Sequence, residues 1–271
     1  MKFRTPIDIP NPPFLIEPED HLLFRGTCFA DGIGRRFAEN KLRAVVNPRG
    51  TMYNPASILH TLQQCPDLRP RVVFLTLGTN HVYRLKETGE IVDNCAKRPA
   101  RLFQEEQLSV SECADYLQQC VHVLRQRRED VQVVMTVSPI RYRKYGYHES
   151  QLTKATLLLS IEKLLTSADG ATSHPVYFPA YEIVLDELRD YRFYQPDMLH
   201  PSDQAVDYIY ERLSEQYFSP RLREFLQAWL PIRANLQHRP FDPESQAYKE
   251  LMVQTEVKLQ ALRAKYPALP L

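Results

Sequence analysis

Four short segments carry the residue types of an acyl-transfer centre: Gly26-Thr27-Cys28, Asn47-Pro48-Arg49-Gly50, Gly78-Thr79-Asn80-His81 and Asp197-Met198-Leu199-His200. Such a centre needs a nucleophile, a base, a group that orients the base, and donors for the oxyanion. Cys28, or Thr27 in its place, supplies the nucleophile. His200 removes its proton, and Asp197 holds the imidazole in the working tautomer. A carboxylate three residues before a histidine reaches the ring without help from another element. The amides of Cys28 and Gly50 and the side-chain amide of Asn80 are the expected oxyanion donors, with Thr27, His81 and Asn47 beside them. A helix N-terminus and His200 are expected to lower the thiol pKa.

Every one of these segments also has a plainer reading. Gly26-Thr27-Cys28 reads equally as a turn with a buried thiol. Gly50 and Asn47 suit a turn that stabilises its own backbone. Asn80 suits a local backbone cap, His81 a half-buried polar residue, and Asp197 with His200 a helix-entry cap. What raises the chemical reading is position, since all four segments fall at strand ends.

The elements that must position them follow from the apolar pattern. Strands are expected over Leu22–Arg25, Ala44–Val46, Val72–Leu77, Val131–Val137 and Val176–Phe178. The third and fourth are nearly continuous and β-branched, as central parallel strands are when both faces are buried. Helices are expected over Gly32–Asn40, Pro55–Gln64, from a Ser109/Glu112 capping box to about Arg128, over Leu152–Thr166, and over Asp203–Tyr217 behind a Ser202 cap. Alternation of strands and helices means a parallel sheet covered on both sides, and ligands of such sheets bind outside the carboxyl ends of the strands. Residues 79–108 show no strong periodicity and read as a long insertion of the binding or lid kind. Residues 220–271 read as a helical extension docked on the 1–219 domain, with Tyr248, Leu251, Met252, Thr255, Leu259 and Leu262 at helical spacing.

Composition excludes several classes. The chain has 271 residues, with 34 Lys plus Arg against 33 Asp plus Glu. No global field draws nucleic acid or an anionic membrane, and no apolar run reaches the ~18 residues of a membrane span. Met1-Lys2-Phe3-Arg4-Thr5-Pro6 lacks the apolar core of a secretory signal. The cysteines (Cys28, Cys65, Cys95, Cys113, Cys120) are odd in number and lack CxxC spacing, which disfavours a disulfide framework or a structural zinc. A reducing, cytoplasmic setting is the expectation. Cys113 and Cys120 lie on one apolar helix face and read as core thiols. The eight histidines show neither HxH nor HxxxH spacing, so neither a metal nor another cofactor is expected.

The order of the four segments is similar to the Gly-Asp-Ser, Gly, Gly-x-Asn-Asp and Asp-x-x-His blocks of the SGNH (GDSL-type) hydrolases. The chain most resembles one branch, the GSCFA-domain family, through Gly26-Thr27-Cys28-Phe29-Ala30, Asn47 to Pro55, and Thr76-Leu77-Gly78-Thr79. Further matches are Asn94-Cys95, Ser138-Pro139, Phe178 to Glu182, Leu188 to Tyr194 leading into Asp197–Pro201, and His238-Arg239-Pro240-Phe241. The resemblance runs from about residue 3 to residue 266. It implies a three-layer α/β/α fold with a short, mostly parallel five-stranded sheet. The sequence departs from the family pattern in places: Thr27 stands for the usual serine, and the Gly-Asp-Ser register puts Cys28 at the nucleophile. Gly78-Thr79-Asn80-His81 replaces Gly-Thr-Ala-Trp, and Asn94-Cys95-Ala96-Lys97 lacks a family histidine whose space His81 could fill.

The expected function is hydrolysis of an ester, a short acyl group such as O-acetyl on a carbohydrate or small molecule. The alternatives are a non-catalytic glycan- or acyl-binding module, with Tyr191-Arg192-Phe193-Tyr194 as a binding wall, and an acyltransferase.

Overall fold

Strand β1 (His21–Gly26) lies at the middle of the molecule because five of its six residues are buried, and β3 (Val72–Leu77) is buried at all six. The computed structural model describes residues 4–93, 95, 97–167 and 174–271; Asn94 and Ala96 of the Asn94–Lys97 segment lie outside the described residues. With β2 (Arg43–Val46), β7 (Gln132–Val137) and β8 (Val176–Tyr177), these strands form a parallel sheet in the order β2-β1-β3-β7-β8. The chain reverses its direction of strand addition between β1 and β3. In an open parallel sheet that switch point leaves a crevice at the carboxyl edge.

Alternate residues of each central strand face opposite layers, as the period of two requires. Leu22, Phe24, Val72, Phe74 and Val134 share one apolar cluster with residues of α1 (Cys28–Glu39), α5 (Ala180–Glu182), α6 (Asp203–Tyr217), α7 (Pro220–Gln237) and α8 (Gln246–Lys265). Leu23, Val73, Leu75, Leu77, Val133 and Met135 pack against α2 (Pro55–Gln63), α3 (Val110–Arg127) and α4 (Tyr147–Ser167). Phe24 stacks on Phe74 at 4.7 Å between ring centres, locking β1 to β3 just before the switch point. Each such fully buried apolar side chain contributes about 1.5–3 kcal/mol. The architecture is the expected three-layer α/β/α sandwich with C-terminal helices. Cys113 and Cys120 are core residues of the second layer.

Two expectations need correcting. Helix α1 begins at Cys28, four residues earlier than its apolar periodicity suggests, because Thr27 caps it by accepting from the Phe29 amide at 3.2 Å. Residues 79–108 are not structureless: β4 (His81–Leu85), β5 (Ile91–Val92) and β6 (Phe103–Gln107) form a small antiparallel sheet in the order β5-β4-β6. Its sequence signal is weak because β6 buries only Phe103 and is otherwise polar. Pairing with β4, with Val82 buried in the core, and an Arg84–Glu106 ion pair at 3.0 Å hold it instead. The Ser109/Glu112 capping box forms in full. No helix among the described residues is long and apolar enough to cross a membrane.

Candidate active site

The corner that carries Cys28 is built by one glycine. Gly26 has φ +133° and lies so close to β3 that a Cβ there would stand 2.0 Å from the Thr76 carbonyl oxygen. Only glycine fits, and the turn it makes delivers Cys28 as the first residue of α1. Cys28 is half-buried, and its amide is among the N–H groups a helix start leaves without intrahelical partners.

His200 arrives on a braced loop. Met198 takes φ +59°, which brings Asp197 back over the following backbone. Its Oδ1 accepts from the amides of Leu199 (2.8 Å) and His200 (3.0 Å), and its Oδ2 lies 2.5 Å from His200 Nδ1. The other ring nitrogen, Nε2, is 3.4 Å from Cys28 Sγ, within hydrogen-bond reach for sulfur. Arg141 steadies the loop from outside: its amide donates to the Leu199 carbonyl (2.9 Å) and its guanidinium to that of Met198 (3.0 Å). Cys28, His200 and Asp197 therefore stand in the order thiol, imidazole, carboxylate.

The other predicted residues are placed differently. The Thr27 hydroxyl is 1% exposed and engaged with the Phe29 amide, Thr76 Oγ1 (3.0 Å) and Ser138 Oγ (3.0 Å), so the contact to His200 belongs to Cys28. Gly50 does not present its amide to the site; the amide donates to the Asn47 carbonyl at 2.8 Å and closes a turn. Asn47 braces that turn against the corner, its Oδ1 accepting from Gly26 N (2.9 Å) and its Nδ2 donating to Asp31 (2.7 Å). Asn80 has its carbonyl and one of its two amide N–H groups engaged away from Cys28. Its Nδ2 donates to the Leu108 carbonyl (2.8 Å) and its Oδ1 accepts from Thr153 (3.0 Å), tying the small sheet to α4. His81 stacks on Tyr145 at 3.9 Å, and its Nε2 lies 3.4 Å from Glu149, near enough for ion pairing but without hydrogen-bond alignment. Burial pushes its pKa below the ordinary histidine value. Of the three expected oxyanion donors, the Gly50 amide is taken up by its turn, while the Cys28 amide stands at the start of α1.

The surroundings move Asp197 and Cys28 in opposite directions. The two backbone amides and the ring of His200 hold the Asp197 carboxyl down at about 2, so it is an anion throughout the ordinary pH range. Burial pushes the Cys28 thiol up, and Asp31 and Asp197 add to this, against the Cys28 amide and the Tyr53 hydroxyl. The expected lowering of the thiol is thus corrected: burial outweighs the helix start. A thiol raised in this way stands as S–H at neutral pH, beside the ring nitrogen of His200.

A profile of the GSCFA family matches residues 21–69 and 67–213, and one described as GSCFA domain protein, C-terminal domain, matches residues 229–271. The chain belongs to the GSCFA family. No curated protein sequence matches it. Among solved structures it is similar to a carbohydrate esterase family 3 from Talaromyces cellulolyticus (13% identity, 76% of this chain and 97% of that one, TM-score 0.44). It is also similar to a Parabacteroides merdae protein provisionally described as a GDSL-like lipase (13%, 76% and 100%, TM-score 0.48). Likeness at that level says nothing of activity.

Several residues of this GSCFA chain belong to the site although their types did not announce it. Tyr53, in the Asn47–Pro55 motif, sets its hydroxyl beside the Cys28 sulfur. Thr76 and Ser138 carry the hydroxyls that meet Thr27. Lys154 lies beneath them, and its signal was legible: a lysine on the same helix stripe as Leu157, Ile161 and Leu164. A cavity of about 410 Å³ opens beside the Asp197–His200 loop, lined by Arg141, Gln151, Leu188, Asp190, Tyr191 and Tyr194. Tyr191 and Tyr194 of the expected aromatic wall thus line it, with the Arg141 guanidinium 5.6 Å from the Tyr194 ring centre. Neither Cys28 nor His200 lines this cavity, which adjoins the chemistry and does not contain it. Among the described residues no group of His, Cys, Asp and Glu is gathered as metal ligands would be.

Proposed function

We propose that this chain is an SGNH-type hydrolase that cleaves a carboxylic ester, a short acyl group such as O-acetyl on a carbohydrate or small molecule. The observation that carries the reading is the aligned contact pair: Cys28 Sγ to His200 Nε2 at 3.4 Å and His200 Nδ1 to Asp197 Oδ2 at 2.5 Å. In the first half-reaction the Cys28 sulfur bonds to the ester carbonyl carbon while its proton passes to His200 Nε2. The ester C–O bond breaks and the alcohol leaves with that proton. In the second, water loses a proton to His200, adds to the thioester, and releases the carboxylic acid and the thiol. Asp197 keeps the proton of the neutral ring on Nδ1, so that Nε2 can accept. The Cys28 amide meets the developing oxygen charge at the start of α1.

A second reading, a glycan- or acyl-binding module without turnover, is favoured by one observation: Gly50 and Asn80 are engaged elsewhere. Each missing oxyanion donor costs about 2.7–4 kcal/mol of transition-state stabilisation. Turnover of a short-chain aryl acetate by wild type, Cys28→Ala and His200→Ala separates the readings. The hydrolase reading requires activity that both substitutions abolish. Binding of an acetylated oligosaccharide with no hydrolysis, unaltered in Cys28→Ser, establishes the module instead.

A further inference from the structure

Lys154 is 2% exposed, on the face of α4 that packs against the sheet. A lysine buried to that degree gives up its hydration and must be repaid by what surrounds it. Its Nζ donates to the carbonyls of Gly78 (2.9 Å) and Ser138 (2.8 Å), the first residues beyond β3 and β7. Both residues touch the nucleophile corner from their other side. Ser138 Oγ accepts from the Thr27 hydroxyl that caps α1 at Cys28. The Gly78 amide donates to the Tyr53 carbonyl at 2.8 Å, and Gly78 lies so close to Thr27 that a Cβ there would meet Thr27 Cγ2 at 2.8 Å. The Tyr181 ring centre is 5.9 Å from the Nζ, and a negative charge on the Cys28 sulfur would act to hold the proton on Lys154. Among the described residues no ion pair joins Lys154 to a carboxylate.

We propose that Lys154 is a positioning residue for Cys28: its ammonium is the built-in counter-charge for the sulfur and clamps the two strand-end loops that hold the corner. The inference rests on the reading of Cys28 as the nucleophile. Burial as thorough as this brings Lys154 down to about 7. Below that pH the ammonium is present and favours the thiolate; above it the neutral amine does not. The other groups facing the sulfur are His200 and Asp197 from the 194–202 loop, Asp31 from α1 and Tyr53 from the loop ahead of α2. Asp197 is ionised across this range, and His200 is removed in the test because its imidazolium would act in the same sense as Lys154.

The experiment is alkylation of Cys28 by iodoacetamide as a function of pH, read by mass spectrometry of the Cys28 peptide, in His200→Ala and in His200→Ala/Lys154→Met. Loss of the counter-charge equal to one pKa unit makes the double variant about tenfold slower below neutrality. The two profiles then converge as the pH rises through about 7, where Lys154 loses its proton. A lysine with a purely structural role slows alkylation by the same factor at every pH, or not at all, and either result overturns the proposal. If the double variant does not fold, His200→Ala alone decides. Its alkylation rate must flatten near pH 7 before rising again, and a single unbroken slope through that region overturns the proposal. Alkylation needs no ester, so failure to find a substrate leaves this test intact.

Discussion

Gly26→Ala is the sharpest test of how the corner is built, because the clash involves backbone and cannot be relieved by a side chain moving aside. The new Cβ would stand 2.0 Å from the Thr76 carbonyl oxygen, 2.6 Å from its Oγ1 and 2.9 Å from its carbonyl carbon, at a φ of +133°. Strain of that backbone conformation costs about 1–3 kcal/mol, and forcing an atom into packed space costs about 1–3 kcal/mol more. Since Gly26 is the residue registered with Thr76, the β1–β3 pairing must open there. The expected destabilisation is about 2–6 kcal/mol, its upper part in the range that single substitutions rarely reach. Gly89→Ala is the matched control, since its φ is +74° but nothing lies within 4 Å of its Cβ position; it should cost about 1–2 kcal/mol, the strain contribution alone. Urea denaturation followed by the fluorescence of Trp229 measures both. Trp229 is the sole tryptophan and packs in the same apolar cluster as Phe24. Equal losses in the two variants would refute the close approach of Gly26 to β3 and, with it, the account of why Cys28 stands where it does.

Three further outcomes are expected. Asp197→Asn keeps an acceptor for the Leu199 and His200 amides but turns a donor toward Nδ1, driving the imidazole proton to Nε2; aryl acetate turnover should fall by about 10²–10⁴-fold, with the lower end favoured by the exposure of the site. Asn80→Ala should lower stability by about 1–3 kcal/mol through the unpaired Leu108 carbonyl and Thr153 hydroxyl. Its turnover per folded molecule should change by far less than the ~10²-fold of a lost oxyanion donor, so a drop of that size would restore Asn80 to the site. His60 is raised above its ordinary value by Asp93, 2.9 Å away. That pair therefore stabilises the fold below the ordinary histidine pKa of about 6.5 and loses its effect as the pH rises through the raised value. Asp93→Asn should cost below about 1 kcal/mol at mildly acid pH and nothing at alkaline pH, by denaturation at the two pH values.

Val72–Leu77 was legible as a central strand because an unbroken β-branched and apolar run has no other stable home than a sheet covered on both faces. The Ser109/Glu112 box was legible because its reciprocal bonds are local. The β4–β6 sheet was not. A strand such as Phe103-Gln104-Glu105-Glu106-Gln107 is held by its partner across the ladder, and its own residues carry no alternation to betray it. The start of α1 is hidden in the sequence for a related reason: Thr27 caps it, but the turn that frees Thr27 to do so depends on Gly26 lying against β3.

The sequence by itself determined the alternation of the five main-sheet strands with their covering helices, the family, and the Asp197–His200 pair, because each of these is written in short runs of neighbouring residues. An aspartate three residues before a histidine can cap the intervening amides and reach the ring within one turn of chain. Only the tertiary structure decided which donors are free. Gly50, Asn80 and Asn47 have the residue types of an oxyanion hole, yet a hydrogen-bonding group serves whatever partner the fold brings nearest, and here those partners are a turn carbonyl, the Leu108 carbonyl and the Gly26 amide. The same holds in reverse for Lys154. Its place on an apolar helix stripe was written in the sequence, but its meeting with Gly78 and Ser138 beneath Cys28 exists only once α4 packs on the sheet.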